Sequence, residues 1–491
     1  MSQRKALIIG GGIAGLCAGI YLRRNGFDTE ILEMNSLAGG LATSWTRRGY
    51  TFENCLHWLV GSKPGSSLNE LWREVFDIER LRFHDGEIYQ VIERDGRRLA
   101  VFKQVDRMEQ EFLEKAPEDA AAVKEFCRLV RRLARFRFPG GKTPFSRAAS
   151  AVAALPYLPA LAKYRKETLA SFSGRFQNPL AREFFGAGLA SLSFLAVAFS
   201  LAWMAAGDAG YPIGGSRALI GLIEDTYASI GGRIRFNARV VKVLAEKGRA
   251  SGVVLENGER LGTDIVVSAA DGYATIFELL GKRFLSDKIR DIYRTYRRFP
   301  SYVQVSAGIA ADLSGEPEFL SLGLEREIEV DLQTRARSLS VRVFHFDPTF
   351  APPGKTAITV FLPTANDAYW RGLRERKRDL YVEEKGRLSH RVLAALEKRF
   401  PAARDRIEVF DVATPATVVR YTGNWHGSME GWMMTPETGF RQLPAVLPGL
   451  KGFYMVGQWI SPGGGLPSGL LTARAVSRLI CREYGLPWCP D

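Results

Sequence analysis

Residues 5–33 read KALIIGGGIAGLCAGIYLRRNGFDTEILE, and the order of residue types in that stretch decides the fold. Lys5–Ile9 is a short apolar run of strand type. Residues 15–25 carry a helical pattern, and residues 29–32 form a second apolar run, which makes a βαβ opening. Between the first strand and the helix, Gly10-Gly11-Gly12-Ile13-Ala14-Gly15 fits the spacing GxGxxG. Gly10 permits the tight turn, and Gly12 lets the backbone approach a pyrophosphate at the helix N-terminus. Gly15, with Ala18 and Gly19, lets helix and strand pack closely. Glu33 closes the second strand at the distance where a carboxylate can accept both hydroxyls of a ribose. These residues point to a bound dinucleotide and leave open which one.

The whole chain has 491 residues, about three times a typical domain, so two domains are expected. Hydrophobic residues at 46% and charged residues at 24% exclude wholesale disorder and fibrous architectures. A formal charge of +14 suits an anionic ligand or an anionic lipid surface. No zinc-finger spacing or aromatic RNA-binding signature accompanies the charge, so no nucleic-acid partner is expected. The five cysteines form no CxxC pair, which favours a reducing, cytoplasmic setting over a disulfide framework. The scattered histidines give no metal-ligand spacing, so no metal site is expected.

Further along, residues 106–137 are charged and helical, with Arg128, Arg131, Arg132 and Arg135 on one side. That pattern fits a solvated face or a basic helix lying on a membrane. Residues 148–164 suggest a broken helix, with Pro156 and Pro159 as the breaks. Residues 184–207 hold no charge and are long enough to span a bilayer. Serine and glycine dilute the run, so a buried or pocket-lining helix is the expectation. Residues 217–230 read as helix, and residues 233–268 as alternating strands and turns. Residues 302–309, 339–346, 357–362 and 407–412 are strands of a second, mainly antiparallel sheet. His345 shares a strand face with Leu339, Val341 and Val343 and reads as a core histidine. Residues 371–400 form a long charged helix. The tail, with GQWISPGGGLPSGLLTARAV at 457–476, reads strand, glycine loop, helix.

Three more segments complete the picture: AGGL at 38–41, the strand opening at Val240 after Gly231-Gly232, and the tail loop. With the opening fingerprint they resemble the FAD-dependent amine oxidase and phytoene desaturase superfamily. YPIGGS at 211–216, VVSAADGYAT at 266–275 and ATPATVVRYTGNWHGSMEGW at 413–432 lean toward its phytoene desaturase, carotenoid isomerase and retinol saturase branch. The resemblance implies an α/β fold: a discontinuous Rossmann-like FAD-binding domain (1–75, 209–280 and 440–491) and an α+β substrate-binding domain (76–208 and 281–439) with a mainly antiparallel sheet and a helical cap. It implies noncovalent FAD. Gly10, Gly12, Ile13, Ala14 and Gly15 would face the diphosphate and Glu33 the ribose. Gly39, Gly40 and Leu41 would lie along the diphosphate, and Val240 beside adenine. Gly457 and residues 464–470, among them Gly464, Gly465, Leu466, Pro467 and Leu470, would hold the ribityl chain and flavin. Many relatives carry Arg or Lys where this chain has Leu41, and the nearest downstream cation is Arg47. Neutralisation is then expected from backbone N–H groups, Asn35, Ser36, Thr43 or the helix dipole.

His57, in NCLHW at 54–58, and His426 are the candidate catalytic residues, each as an acid/base beside the hydride site or as a structural hydrogen-bonding group. The resemblance implies a flavoenzyme moving a hydride between FAD and a carbon of an apolar polyene or isoprenoid substrate, by desaturation, saturation or isomerisation. The apolar segments would wall its pocket, and the basic charge suits peripheral contact with the inner face of a membrane. Two alternatives stay open: an FAD amine or amino-acid oxidase acting on a polar intermediate, which an aromatic pocket with a fixed anion-binding Arg would favour, and a non-catalytic flavin- or lipid-binding protein.

Overall fold

The structure, a computed structural model, describes residues 3–136, 152–186, 189–439 and 441–490. A five-stranded parallel sheet lies at its base, in the order Arg233–Arg235, Asp28–Leu32, Lys5–Ile9, Ile265–Ser268, Phe453–Met455. The first strand is central, pairing Ile8 with Ile31 on one side and with Val267 on the other. Covered on both faces, it reads as a continuous apolar run with Ala6, Leu7 and Ile8 fully buried. Helix Ile13–Arg24 packs on one face together with helices Gly215–Ser229 and Gly465–Glu483. A Cβ on Gly15 would stand 1.9 Å from the Gly10 carbonyl oxygen, so that helix reaches its strand only because residue 15 is glycine. The strands come from the beginning, middle and end of the chain, which brings the two terminal glycine loops to one edge.

A second sheet has seven strands, in the order Ile407–Ala413, Ser301–Ile309, Thr356–Thr364, Arg335–Val343, Phe319–Glu329, Ile88–Arg94, Arg97–Phe102. Its neighbours are antiparallel except the pair Phe319–Glu329 and Ile88–Arg94. Three of these strands go beyond the sequence expectation. The two from residues 88–102 form a hairpin about Asp95-Gly96, both at positive φ (52° and 71°), the conformation an Asp-Gly turn favours.

Above this sheet, helices packed around Phe126, Phe172, Phe185 and Phe194 form a separate aromatic core. Helix Phe194–Ala205 lies in that core. Among the described residues no helix is long and apolar enough to cross a membrane. The charged stretch 106–137 breaks at Pro117 into helices Val105–Lys115 and Ala120–Leu133, and Arg137 lies outside the described residues. Helix Ala120–Leu133 turns Val123, Phe126, Val130 and Leu133 inward, so its apolar face is occupied by the protein's own core rather than presented to lipid. Arg131 is tied to Asp106 and Glu109. Of the broken helix at 148–164, residues 148–151 lie outside the described residues; the rest forms a short turn and helix Leu158–Tyr164. The helix expected at 371–400 breaks at Lys377 into Asp367–Arg376 and Arg378–Arg399. His345 lies beyond the end of its strand and is half-buried, its Nε2 3.0 Å from the Glu316 carbonyl oxygen, so it is a loop residue and not a core one.

Candidate functional site

The fingerprint loop at 10–15 and the glycine loop at 38–41 meet directly. The Gly39 amide donates to the Gly11 carbonyl at 2.9 Å, and Gly12 bridges to Gly39. Gly39 has φ 122°, and a Cβ there would meet the Ala42 carbonyl oxygen at 2.4 Å. Between the loops runs a cleft of about 550 Å³. Gly10, Gly12, Ile13, Ala14, Glu33, Gly39, Gly40, Leu41, Val240, Gly457, Gly465, Leu466 and Pro467 all line it, and so does His57. Gly15, Gly464 and Leu470 stand behind this lining. Gly15 serves the helix–strand contact, and Leu470 is fully buried. Gly464 supports the loop from behind, where a Cβ would lie 2.4 Å from the Glu430 carbonyl oxygen.

The cleft has a graded chemistry. At one end Glu33 is held with one carboxylate oxygen on the Gly11 amide (2.7 Å) and the other on the Asn35 amide and side chain (2.9 Å each). A carboxylate has about four acceptor positions, so this one keeps capacity for a hydroxyl. At the centre Gly12 caps helix Ile13–Arg24 with no side-chain hydrogen bond, which leaves the helix N–H groups open to an anion. At the other end the helix Gly465–Glu483 also begins without a side-chain cap. Adenosine, diphosphate and flavin need these surfaces in this order, so the residues present fit FAD.

Arg47 does not serve the diphosphate. It is largely exposed and pairs with Asp411 at 3.2 Å. Asn35, Ser36 and Thr43 also lie outside the lining. Arg239 is the one Lys or Arg among the described residues of the cleft, at the end shared with Glu33 and Val240. Its place directly before Val240 was the available sequence signal.

His57 reaches the cleft on a loop fixed from below. Buried Glu53 accepts from the Ser216 amide (2.9 Å), the Ser216 hydroxyl (2.6 Å) and the Asn54 amide (3.1 Å). Asn54 in turn donates to the Leu41 carbonyl at 2.8 Å, joining this loop to the second glycine loop. Burial first, and then the charge of Arg342, pull the His57 pKa down to about 3, so the imidazole is neutral in the physiological range. It stacks on Phe319 and meets Phe361 edge-on.

His426 is not brought to the cleft. Its backbone adopts φ 56°, and its Nδ1 lies 2.8 Å from Asp367 Oδ1. The turn that carries neighbouring Asn424 and Glu430 to the cleft therefore carries His426 away from it. No described residue of 184–207 or 148–164 lines this cleft; those segments serve the aromatic core, and Met204 alone among them reaches a small cavity on the far side of His57 and Trp58.

Three acidic residues of the cleft, Asp271, Glu278 and Glu430, escaped the sequence reading of roles. Asp271 accepts from the Ala274 and Trp425 amides at 2.8 Å each, which fastens the 424–432 segment to the parallel sheet. Glu430 lines the cleft beside Met429 and makes no hydrogen bond to a described residue. Burial alone pushes its carboxyl up to about 7. Gly464 packs against the Glu430 backbone and Cβ, and no feature of the local sequence signalled that this carboxyl is enclosed.

A parallel sheet, two facing glycine loops and a glutamate held at the end of the second strand define a dinucleotide-binding fold. The chain matches the model of flavin-containing amine oxidoreductases over residues 13–481 and belongs to that family. It is an FAD-dependent oxidoreductase. It is 23% identical to prolycopene isomerase 1 of an Oncidium hybrid cultivar, a chloroplastic protein, over 96% of this chain and 83% of that one. It is 24% identical to the neurosporene-forming phytoene desaturase of Cereibacter sphaeroides over 97% of this chain and 94% of that one. Among solved structures, cyclohexylamine oxidase of Brevibacterium oxydans has the same fold, with a TM-score of 0.59 and 17% identity over 98% of this chain and all of that one.

Proposed function

We propose that the protein moves a hydride between FAD and a carbon of an apolar, unsaturated substrate of polyene or isoprenoid type. One observation carries this reading. The cleft that Gly457 and Gly465 line is also walled by Leu56, His57, Trp58, Met429 and Leu466, with Glu430 as a carboxyl that has no hydrogen bond among the described residues. FAD, when bound, supplies the hydride acceptor or donor. The chain's own residues exclude water, hold the substrate carbon, and move one proton. Glu430 is the group we assign to that proton. Neutral His57 serves as an apolar wall, since a pKa of about 3 makes its imidazolium scarce at neutral pH. Trp58 and Met429 also pack on the aromatic helical core, so the apolar surface continues away from the cleft. The full-length likeness to carotenoid isomerases and desaturases supports the same substrate class. The domain division expected from the sequence fits this reading, with the parallel sheet below the cofactor and the seven-stranded sheet and helical cap above it.

Anaerobic mixing tests it. Candidate polyenes should bleach the oxidised enzyme, or reoxidise the dithionite-reduced enzyme, whereas amines should leave the flavin spectrum unchanged. Bleaching by amines alone would transfer the chain to the amine-oxidase reading. That second reading has a specific observation behind it: a fixed, buried Arg342 among aromatic rings beside the cleft.

An apolar substrate also needs a route from lipid. Val152, Leu155 and Leu158 are more than half exposed, at 63%, 55% and 51%, and Arg132 donates to the carbonyl of adjacent Pro156. Apolar and basic groups side by side support peripheral contact with an anionic membrane. Washing membranes with high salt should release the protein, because screening weakens the Lys and Arg contacts; retention through such a wash would count against this contact.

A further inference from the structure

On the other side of His57 and Trp58 from the cleft lies a small cavity of about 30 Å³. Arg342, on strand Arg335–Val343, lines it together with Tyr89, His84, Glu318 and Lys103, the last paired with Asp85 at 2.6 Å. Arg342 is only 9% exposed. Its guanidinium lies over the Phe319 ring, 4.4 Å from the centroid, and Nη2 donates to the His57 carbonyl at 3.3 Å. That is one long hydrogen bond for a group with five N–H donors. Among the described residues no carboxylate lies within 4.0 Å of it. Glu318, the acid in the same cavity, is turned to His84 Nε2 at 2.7 Å. The Tyr89 hydroxyl has no hydrogen-bond partner among the described residues either.

Burying a guanidinium without an ion-pair partner is costly, and burial indeed holds the Arg342 pKa below its usual value. A chain needing only a donor for the His57 carbonyl could use a neutral amide at less cost. A fixed cation with idle donors is what an incoming anion requires. The space is on the order of two water molecules, which suits a carboxylate and is small for a phosphate. The neighbouring wall, His57, carries no charge at neutral pH and does not compete for the anion.

Building on the flavin-cleft reading above, we infer that the substrate carries a carboxylate, and that Arg342, assisted by Tyr89, holds it in this small cavity while the apolar body extends past His57 and Trp58 into the cleft. The site thus selects an apolar acid over the corresponding hydrocarbon or ester.

The experiment titrates the oxidised holoprotein with all-trans-retinoate, its methyl ester and L-phenylalanine, following the flavin absorption spectrum. The acid should bind at least about tenfold tighter than the ester, the value of one charge-assisted contact. In Arg342→Met the acid and the ester should bind alike, and Arg342→Lys should keep part of the preference. Should Arg342→Met fail to hold flavin, Arg342→Lys and the acid-to-ester ratio of the unaltered protein decide. Equal binding of acid and ester by the unaltered protein, or a preference that survives in Arg342→Met, would overturn the carboxylate inference. If the ester still exchanges electrons with the flavin in that event, the apolar-substrate reading stands. Arg342-dependent binding of L-phenylalanine, with neither retinoid bound, would support the carboxylate site and sink the polyene reading instead.

Discussion

Gly12→Val should yield a folded protein that has lost its yellow colour. The two halves of that result have separate causes. Gly12 has φ −74° and ψ 179°, extended backbone that valine adopts readily. A Cβ at this position would meet the Gly39 carbonyl oxygen at 3.7 Å and the Gly40 Cα at 3.9 Å, which is ordinary contact. The protein itself therefore has room for a Cβ at this position. The cofactor leaves none, because the branched group stands at the open N-terminus of helix Ile13–Arg24, where the diphosphate must approach the backbone. The expected loss of flavin affinity is on the order of a hundredfold or more. It is read as flavin released on denaturation per mole of protein, with circular dichroism confirming the fold. Gly15→Val is the contrasting variant. Its Cβ would sit 1.9 Å from the Gly10 carbonyl oxygen, so it should damage the sheet itself and leave little folded protein to assay. Normal flavin content in Gly12→Val would mean that the diphosphate lies elsewhere.

This contrast also explains what was legible beforehand. Gly10, Gly15 and Gly39 act through local sterics and a fixed spacing, so the turns and close contacts they make are written at single positions. The antiparallel sheet was legible where alternation is clean, as at Ser301–Ile309, and its edge was missed at Ile88–Phe102, where charged residues blur the period although Asp95-Gly96 marks the turn. Functional side chains proved harder, because their meaning depends on what the rest of the chain places over them. His426 and Glu430 lie four positions apart in one segment, yet a left-handed turn sends the histidine to Asp367 and leaves the carboxyl in the cleft. Arg342 sits in RARSLSVRV, where an arginine reads as one more outward charge of an alternating strand. Only the packing of the 54–58 loop across that strand reveals it as buried.

Glu430→Gln is the variant that separates proton handling from hydride handling, and its effect should be large and dependent on pH. The carboxyl is held near 7 by burial alone, within the cleft, with the 463–464 turn packed behind it. A group at that pKa is divided between acid and carboxylate at neutral pH, the condition under which one side chain can both give and take a proton. The sign of the pH dependence follows from the direction of the chemistry. Removing a hydride and a proton from adjacent carbons needs the ionised form, so the bleaching rate should rise with pH and level off above about 7. Adding them across a double bond needs the protonated form, so the reoxidation rate of reduced enzyme should be highest below about 7 and fall above it. Glutamine is close in size and holds no transferable proton in this range, so both limbs should disappear and the rates drop about a hundredfold, with flavin content unchanged. The other titratable groups facing this end answer differently. His57 is neutral until about pH 3, Cys55 is pushed above its usual value by burial and by the nearby Glu53 and Glu430 charges, and Asp271, though also raised to about 7 by burial, is bound to two backbone amides. An unchanged limb near pH 7 in Glu430→Gln would therefore shift the proton to Asp271 or to Glu53, which burial also raises to about 7, with Asp271→Asn and Glu53→Gln telling them apart, and would leave Glu430 as a wall of the cleft.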